Sequence, residues 1–229
     1  MKFCIIGLGV FGTQLARNLS QEGHEIIAVD NDASHINGLK DEIEYLIQAD
    51  CTDLNAFHEI PVAQCDAVIL AIGKDFEASL SIVANVQQLG AKRIISRIIN
   101  PLHARLLKLL KVDETMIPEA MAAAWLANSL KSPDILTSRA LGGGYEIAIV
   151  QVPGHLVGKT LQESGLRERY ELNLVTVAKS RGSSAINSTR QPVGKVLGNL
   201  EPTRVFEADD VLLLFGLEKA IHRMIADNK

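Results

Sequence analysis

Along the first 131 or so residues, hydrophobic and polar positions repeat with two different periods. Short β-branched runs at Phe3–Ile6, Glu25–Val29, Tyr45–Gln48, Ala67–Ile72 and Arg93–Ile98, with a shorter one at Thr115–Ile117, predict strands. Between them, stretches of helical spacing at Phe11–Glu22, Ser34–Lys40, Leu54–Glu59, Phe76–Leu89 and Leu102–Leu110 predict helices. Strand and helix in strict alternation imply an α/β unit: a Rossmann-like parallel sheet joined by crossover helices. Ala67–Ile72 is apolar throughout, as a central strand covered on both faces must be. Gly90 after Leu89 supplies a glycine stop to the longest of these helices.

The segment from Pro118 to Leu130 departs from this pattern. Pro118 suits the first helical position and Glu119 the positive helix end. The run AMAAAWLANSL that follows is apolar almost all round, so its helix should be buried on more than one side. It could lie in the core of its own domain, between two parts of the chain, or against another subunit.

The texture changes near Ser138–Tyr145, where Gly142-Gly143-Gly144 reads as a flexible joint. Strands are predicted at Glu146–Val152, Leu172–Ala178 and Val211–Phe215, with short helices at Thr160–Ser164 and Leu217–Ile225. Residues 181–195 are polar and read as a loop or mobile hairpin. The expected organisation is a Rossmann-like domain over residues 1–134 and a small α+β lobe over 140–229.

Composition narrows the function classes. Of 229 residues 47% are apolar and only 4% aromatic, so the core is built from Ile, Leu, Val and Ala. A net charge of −4, with no basic cluster, gives nucleic-acid binding no support. Cys4, Cys51 and Cys65 lack metal-type spacing and read as packed thiols in a reducing cytosol. Strand-like sequence begins directly after Met1, so no signal peptide is expected, and no apolar run is long enough for a membrane span. If the protein works at a membrane, something else holds it there.

The chemistry begins at Gly7-Leu8-Gly9-Val10-Phe11-Gly12. This glycine pattern follows a strand and opens a helix, and Asp30 ends the next strand 18 residues after Gly12. Gly7 makes the turn, Gly9 lets the backbone approach phosphates, and Gly12 lets the helix pack on the sheet. Free amides at the helix start meet the anion. Asp30 accepts from the ribose hydroxyls, and no Arg or Lys just after it would welcome a 2′-phosphate. Ligands of such sheets lie at the carboxyl ends of the strands. That adds Asn31 beside Asp30, Asp50 and Cys51 after the third strand, Ile72 and Gly73 after the fourth, and Arg97 at the end of the fifth. Asp50 could accept from an adenine amino group or simply cap a helix; Arg97 could reach a terminal phosphate or form a surface ion pair.

A hydride-transfer enzyme also needs an acid or base beside the nicotinamide. The residues four places after Tyr45, Tyr145 and Tyr170 are Ala49, Ile149 and Leu174, so no Tyr-x-x-x-Lys pair is present. The six histidines are scattered, and neither a serine nucleophile elbow, HExxH nor a P-loop lysine occurs. A nucleotide sensed, not consumed, fits best. The alternatives are a small NAD-dependent oxidoreductase and a structural ring subunit with a non-binding pocket.

Several segments together resemble the RCK/KTN (TrkA-type) regulatory subunits of the Trk and Ktr potassium uptake systems. In the first part these are IIGLGVFG, EGHEIIAVDND, QADCTD, DAVILAIG and RIISRIINPLHARLLKLLKVDETMIPE; in the second, VPGHLVGKTLQESGLRERYELNLVTVAKSRG and EADDVLLLFG. The resemblance implies a non-enzymatic cytoplasmic protein, peripheral at the inner face of the cell membrane. It implies dimers assembling into a ring and a membrane potassium-translocating partner of the TrkH/KtrB kind. It further implies an adenine nucleotide (ATP/ADP or NAD/NADH) bound by Gly7, Gly9, Gly12, Asp30 and Arg97. Glu119 falls on an acid that in some members lies near the phosphates and helps hold a divalent cation such as Mg or Ca. Many members carry a basic residue where this chain has Val10. The C-terminal lobe of some relatives takes a cyclic dinucleotide, and Arg167, Arg169 and Asn173 lie in that region, although exposed polar residues are the simpler account of them.

Overall fold

In the computed structural model, residues 1–131, 134–180 and 193–227 are described. They divide into two compact units, Met1–Met121 and Ala122–Lys229.

The first unit alternates β1 (Lys2–Ile6), α1 (Val10–Gln21), β2 (Glu25–Asp30), α2 (Ala33–Asn37), β3 (Tyr45–Gln48), β4 (Ala67–Leu70), α3 (Phe76–Gln88), β5 (Ile94–Arg97), α4 (Pro101–Leu109) and β6 (Glu114–Met116). The six strands are all parallel in the order β3-β2-β1-β4-β5-β6. The order reverses between β1 and β4, and such a switch point opens a crevice at the carboxyl ends of the strands. The two-residue period of the strands builds a core on each face. Cys4, Ile6, Ile27, Val29, Val68 and Leu70 pack toward Ile82, Val83 and Val86 of α3. Ile5, Ile26, Ala28, Ala67 and Ile69 pack on the other face with Ala16 of α1 and Ile36 of α2. This is the architecture that the alternating pattern predicts.

Two helices of this unit come out shorter or tighter than expected. Leu54–Glu59 is a 3₁₀ helix, because Ile60 precedes Pro61 and is held extended, leaving no room for an α turn. The helix expected over Ser34–Lys40 stops at Asn37, with Gly38 as its cap.

Helix α5 (Pro118–Lys131) forms where expected, but Met121, Trp125, Leu126 and Leu130 are all exposed. Of the three placements expected for this helix, the core of its own domain does not fit that exposure.

The second unit continues with β7 (Ile135–Gly142), β8 (Tyr145–Gln151), α6 (Leu166–Tyr170), β9 (Asn173–Ser180), β10 (Val193–Val196), β11 (Asp210–Leu217) and α7 (Glu218–Ala226). The strands form an antiparallel sheet, β10-β9-β11-β8-β7. Ala220, Ile221 and Met224 of α7 join a core with Val150, Leu212, Leu214 and Tyr170. Three expectations change here. Gly142–Gly144 is no joint between domains. It is the tight turn of the β7–β8 hairpin, and all three glycines take positive φ (101°, 61° and 79°), which only glycine adopts without strain. Thr160–Ser164 is a turn: Thr160 and Glu163 exchange the hydrogen bonds of a capping box, but Gly165 at φ 63° breaks the chain before a helix propagates, and α6 starts afterwards. Of the polar stretch 181–195, residues 181–192 lie outside the described residues, and the remainder begins β10. Among the described residues no helix is long and apolar enough to cross a membrane.

Candidate functional site

The glycine loop sits at the switch point, and each glycine has a separate physical reason. Gly7 has φ 97°, and its amide donates to the Val29 carbonyl (2.8 Å), locking the loop to β2. A side chain on Gly7 would press on Ile72, 3.2 Å away. On Gly12, a Cβ would lie 1.9 Å from the Gly7 carbonyl oxygen, so α1 can lie this close to the loop only without one. Around Gly9 nothing lies within 4 Å of the Cβ position, and no side chain caps α1 there. The first amides of α1 thus face open space, which is the arrangement that receives an anion. Val10 follows with its side chain 94% exposed, clear of that space but offering no charge. Leu8 is buried and Phe11 half-buried.

Asp30 lies under this loop, only 8% exposed. Its Oδ2 accepts from the Leu8 amide and its Oδ1 from the Asp32 amide (2.8 Å). His35 Nδ1, from α2, stands 3.2 Å from the same Oδ2. Asp32 caps α2 by accepting from Ser34, and that bond, with the nearby His35, holds its carboxyl below the usual range.

The far wall is made by β4 and β5. Arg97 lies flat against Gly73: a Cβ there would meet the guanidinium at 2.5 Å. One guanidinium nitrogen pairs with Glu119 at the start of α5, while the buried Nε has no hydrogen-bond partner among the described residues. The structure therefore connects Gly7 with Ile72, Leu8 with Asp30, Gly73 with Arg97, and Arg97 with Glu119.

Three expected residues are placed differently. Asn31 is exposed, and its carbonyl accepts from Gln48. The Asp50 carboxylate is exposed and folds back on Thr52, whose amide and hydroxyl donate to it and hold its pKa down. The Cys51 thiol points into the core, where burial pushes it up to about 12, so only its backbone faces the sheet edge. All three cysteines are free and buried. Among the described residues no group of three or more His, Cys, Asp or Glu could hold a metal ion. Glu119 is engaged with Arg97.

The second unit holds Arg167 exposed and Asn173 exposed at the start of β9. Arg169 is engaged: it pairs with Asp227 (2.7 Å) and lies over the Tyr170 ring, whose hydroxyl donates to the same carboxylate (2.7 Å). Two features of the site escaped the sequence reading. The packing of Arg97 on Gly73 depends on the register of β4 and β5. The approach of His35 to Asp30 depends on where α2 begins, for which the Asp32-x-Ser34 cap was the available signal.

Fold and crevice together define a class: a Rossmann-type parallel-sheet unit followed by a small antiparallel lobe. The chain belongs to the TrkA-N domain family, which its residues 3–118 match, and it is related over nearly its whole length to regulatory subunits of Ktr and Trk potassium uptake systems. The Ktr system potassium uptake protein C of Bacillus subtilis (strain 168) is 28% identical over 222 residues, covering 97% of this chain and 95% of its own. An uncharacterized MG323 homolog of Mycoplasma pneumoniae is 32% identical over 181 residues, 78% of this chain and 77% of its own. Among solved structures, the GsuK RCK domain superposes with a TM-score of 0.60 at 20% identity, covering 98% of this chain and 47% of that one. The GsuK channel bound to NAD gives 0.59 at 22%, covering 98% and 39%. These likenesses confirm the order of the two lobes; this chain spans less than half of either solved chain.

Proposed function

We propose that this chain is a nucleotide-sensing regulatory subunit of a potassium uptake system. It binds an adenine nucleotide, ATP/ADP or NAD/NADH, in the crevice of the first unit. The observation that carries the reading is the uncapped start of α1 over an open Gly9, set directly above a buried Asp30. In this reading the diphosphate lies on the α1 amides, the ribose on Asp30, and the adenine toward the ends of β2 and β3 near Asn31, Asp50 and Cys51. Ile72 and Gly73 line the opposite wall. A terminal phosphate draws Arg97 from Glu119, and a divalent cation would find Glu119 beside the phosphates. The membership and the kinship with Ktr system proteins support a role at a membrane potassium-translocating subunit, reached from the cytoplasmic side as a ring of dimers.

Gating requires the nucleotide to prefer one state of the assembly; a 100-fold preference at one site supplies about 2.7 kcal/mol. The test is calorimetric titration with ATP, ADP, NAD and NADH, each with and without magnesium. Binding with no turnover, lost in Asp30→Ala, is expected. A well-folded protein that binds none of the four would refute the sensor.

A further inference from the structure

The ribose acid is already occupied. A carboxylate offers roughly four acceptor positions. In Asp30, Oδ2 is faced by the Leu8 amide and by His35 Nδ1 at 3.2 Å, and Oδ1 by the Asp32 amide at 2.8 Å. One position remains. A ribose that donates both its hydroxyls to Asp30 needs two. The backbone amides of Leu8 and Asp32 belong to the loop and to the β2–α2 turn and cannot withdraw without unmaking them. His35 can: its side chain is 44% exposed, on a helix of five residues.

We propose that His35 is a built-in competitor for the ribose, displaced when a nucleotide binds, and that its protonation makes the site sensitive to pH. The inference rests on the nucleotide reading of the crevice. The groups facing the imidazole are Asp30, at the end of β2, and Asp32, in the turn before α2, which feels its charge. Both are acids. Nearby Cys51, buried in the core, stays a neutral thiol. A protonated imidazole therefore holds Asp30 by a charge-assisted contact, with Asp32 adding to the negative surroundings. A neutral one holds it weakly, or presents a lone pair to it and lets go. Nucleotide affinity should rise with pH, and binding to the protonated form should release a proton.

The experiment is calorimetric titration of the full chain with NAD and with ADP near pH 6 and near pH 8, in buffers of different ionisation enthalpy. Wild type is compared with His35→Ala and His35→Gln. Ionisation of the ligand is common to all three proteins and cancels in their ratios. The wild type should bind about fivefold more weakly near pH 6 than near pH 8, relative to His35→Ala, reflecting the difference between a charge-assisted and an ordinary hydrogen bond. With NAD, His35→Ala should bind near pH 6 as tightly as near pH 8, and with either ligand the wild type should show a buffer-dependent heat in excess of that of both variants. His35→Gln keeps a donor of similar reach without titrating, and guards against a merely structural effect. Equal pH profiles and equal proton release in wild type and variants, with binding intact, would overturn the competitor while the nucleotide site stands. Absence of binding in all three folded proteins would overturn both together.

Discussion

At the scale of single residues, the glycine loop separates stability from binding. Gly12 and Gly9 carry the same side chain and belong to one motif, yet their surroundings are opposite. Gly12→Ala drives a methyl group to within 1.9 Å of a backbone oxygen, which no rotamer can relieve. Helix α1 must lift from the sheet, at an expected cost of about 3 kcal/mol or more, since overpacking of a tight site commonly costs 1–3. Gly9→Ala meets nothing within 4 Å. It should change stability by less than about 1 kcal/mol, the usual range for exchanges at a helix N-cap. Its methyl group stands where phosphates would approach the amides, and a tenfold or greater loss of nucleotide affinity is expected. Thermal unfolding and calorimetric titration of both variants check the pair; a Gly9→Ala protein that binds like wild type would remove phosphates from the α1 start. The motif itself was legible because each glycine answers a backbone demand that holds in any such loop. An ion pair of Arg97 was one of its two legible roles, but its packing on Gly73 and the approach of His35 to Asp30 were not legible, because those contacts depend on strand register and helix start.

At the scale of elements, the first unit follows its pattern because a parallel sheet covered on both faces requires apolar strands and amphipathic helices in turn. The second is antiparallel with one face open, so its strands mix polar and apolar residues. β7, reading ILTSRALG, shows no clear period, and the glycines after it resemble a linker in composition while serving as a hairpin turn. β8 contains an acid that the pattern passes over. Glu146 is 7% exposed, and its Oε1 is buried without a hydrogen-bond partner among the described residues. Burial pushes its carboxyl above the ordinary range, against a downward pull from the Ser138 hydrogen bond, and Glu218 pushes it further up. A folded-state value above the unfolded one means that ionisation opposes folding. Its contribution to stability is therefore full below the unfolded titration and is lost as pH rises through the folded one. Glu146→Gln keeps the shape without the charge. It should stabilise the second unit near pH 8 by about 1 kcal/mol, as relief of an unsatisfied buried group does, and have little effect near pH 4. Hydrogen exchange of β8 and β11 amides at the two pH values measures this; equal protection in both proteins near pH 8 would mean that water already satisfies the carboxylate.

At the scale of the whole molecule, the unfinished feature is α5. Its Met121 and Leu130 are 67% and 70% exposed, and Trp125 and Leu126 more than 40%. Four large apolar side chains on a single helix form the kind of surface that soluble chains seldom leave to water. The sequence could say that this helix wants cover on several sides, but not whose. With Met121, Leu126 and Leu130 exposed among the described residues, a second copy is the natural partner, in line with the proposed ring of dimers. Met121→Glu and Leu130→Glu each place a charge in that contact without touching either core. Both should weaken self-association by tenfold or more, since a buried unpaired charge costs at least about 2 kcal/mol. Trp125 is the only tryptophan of the chain and lies on the same helix. Its emission should shift to the red on dilution of the wild type, and stand red-shifted at all concentrations in the variants. Sedimentation at matched concentrations gives the mass directly. A wild type that sediments as a monomer at high micromolar concentration, with Trp125 emission insensitive to dilution, would assign the α5 surface to the membrane subunit instead.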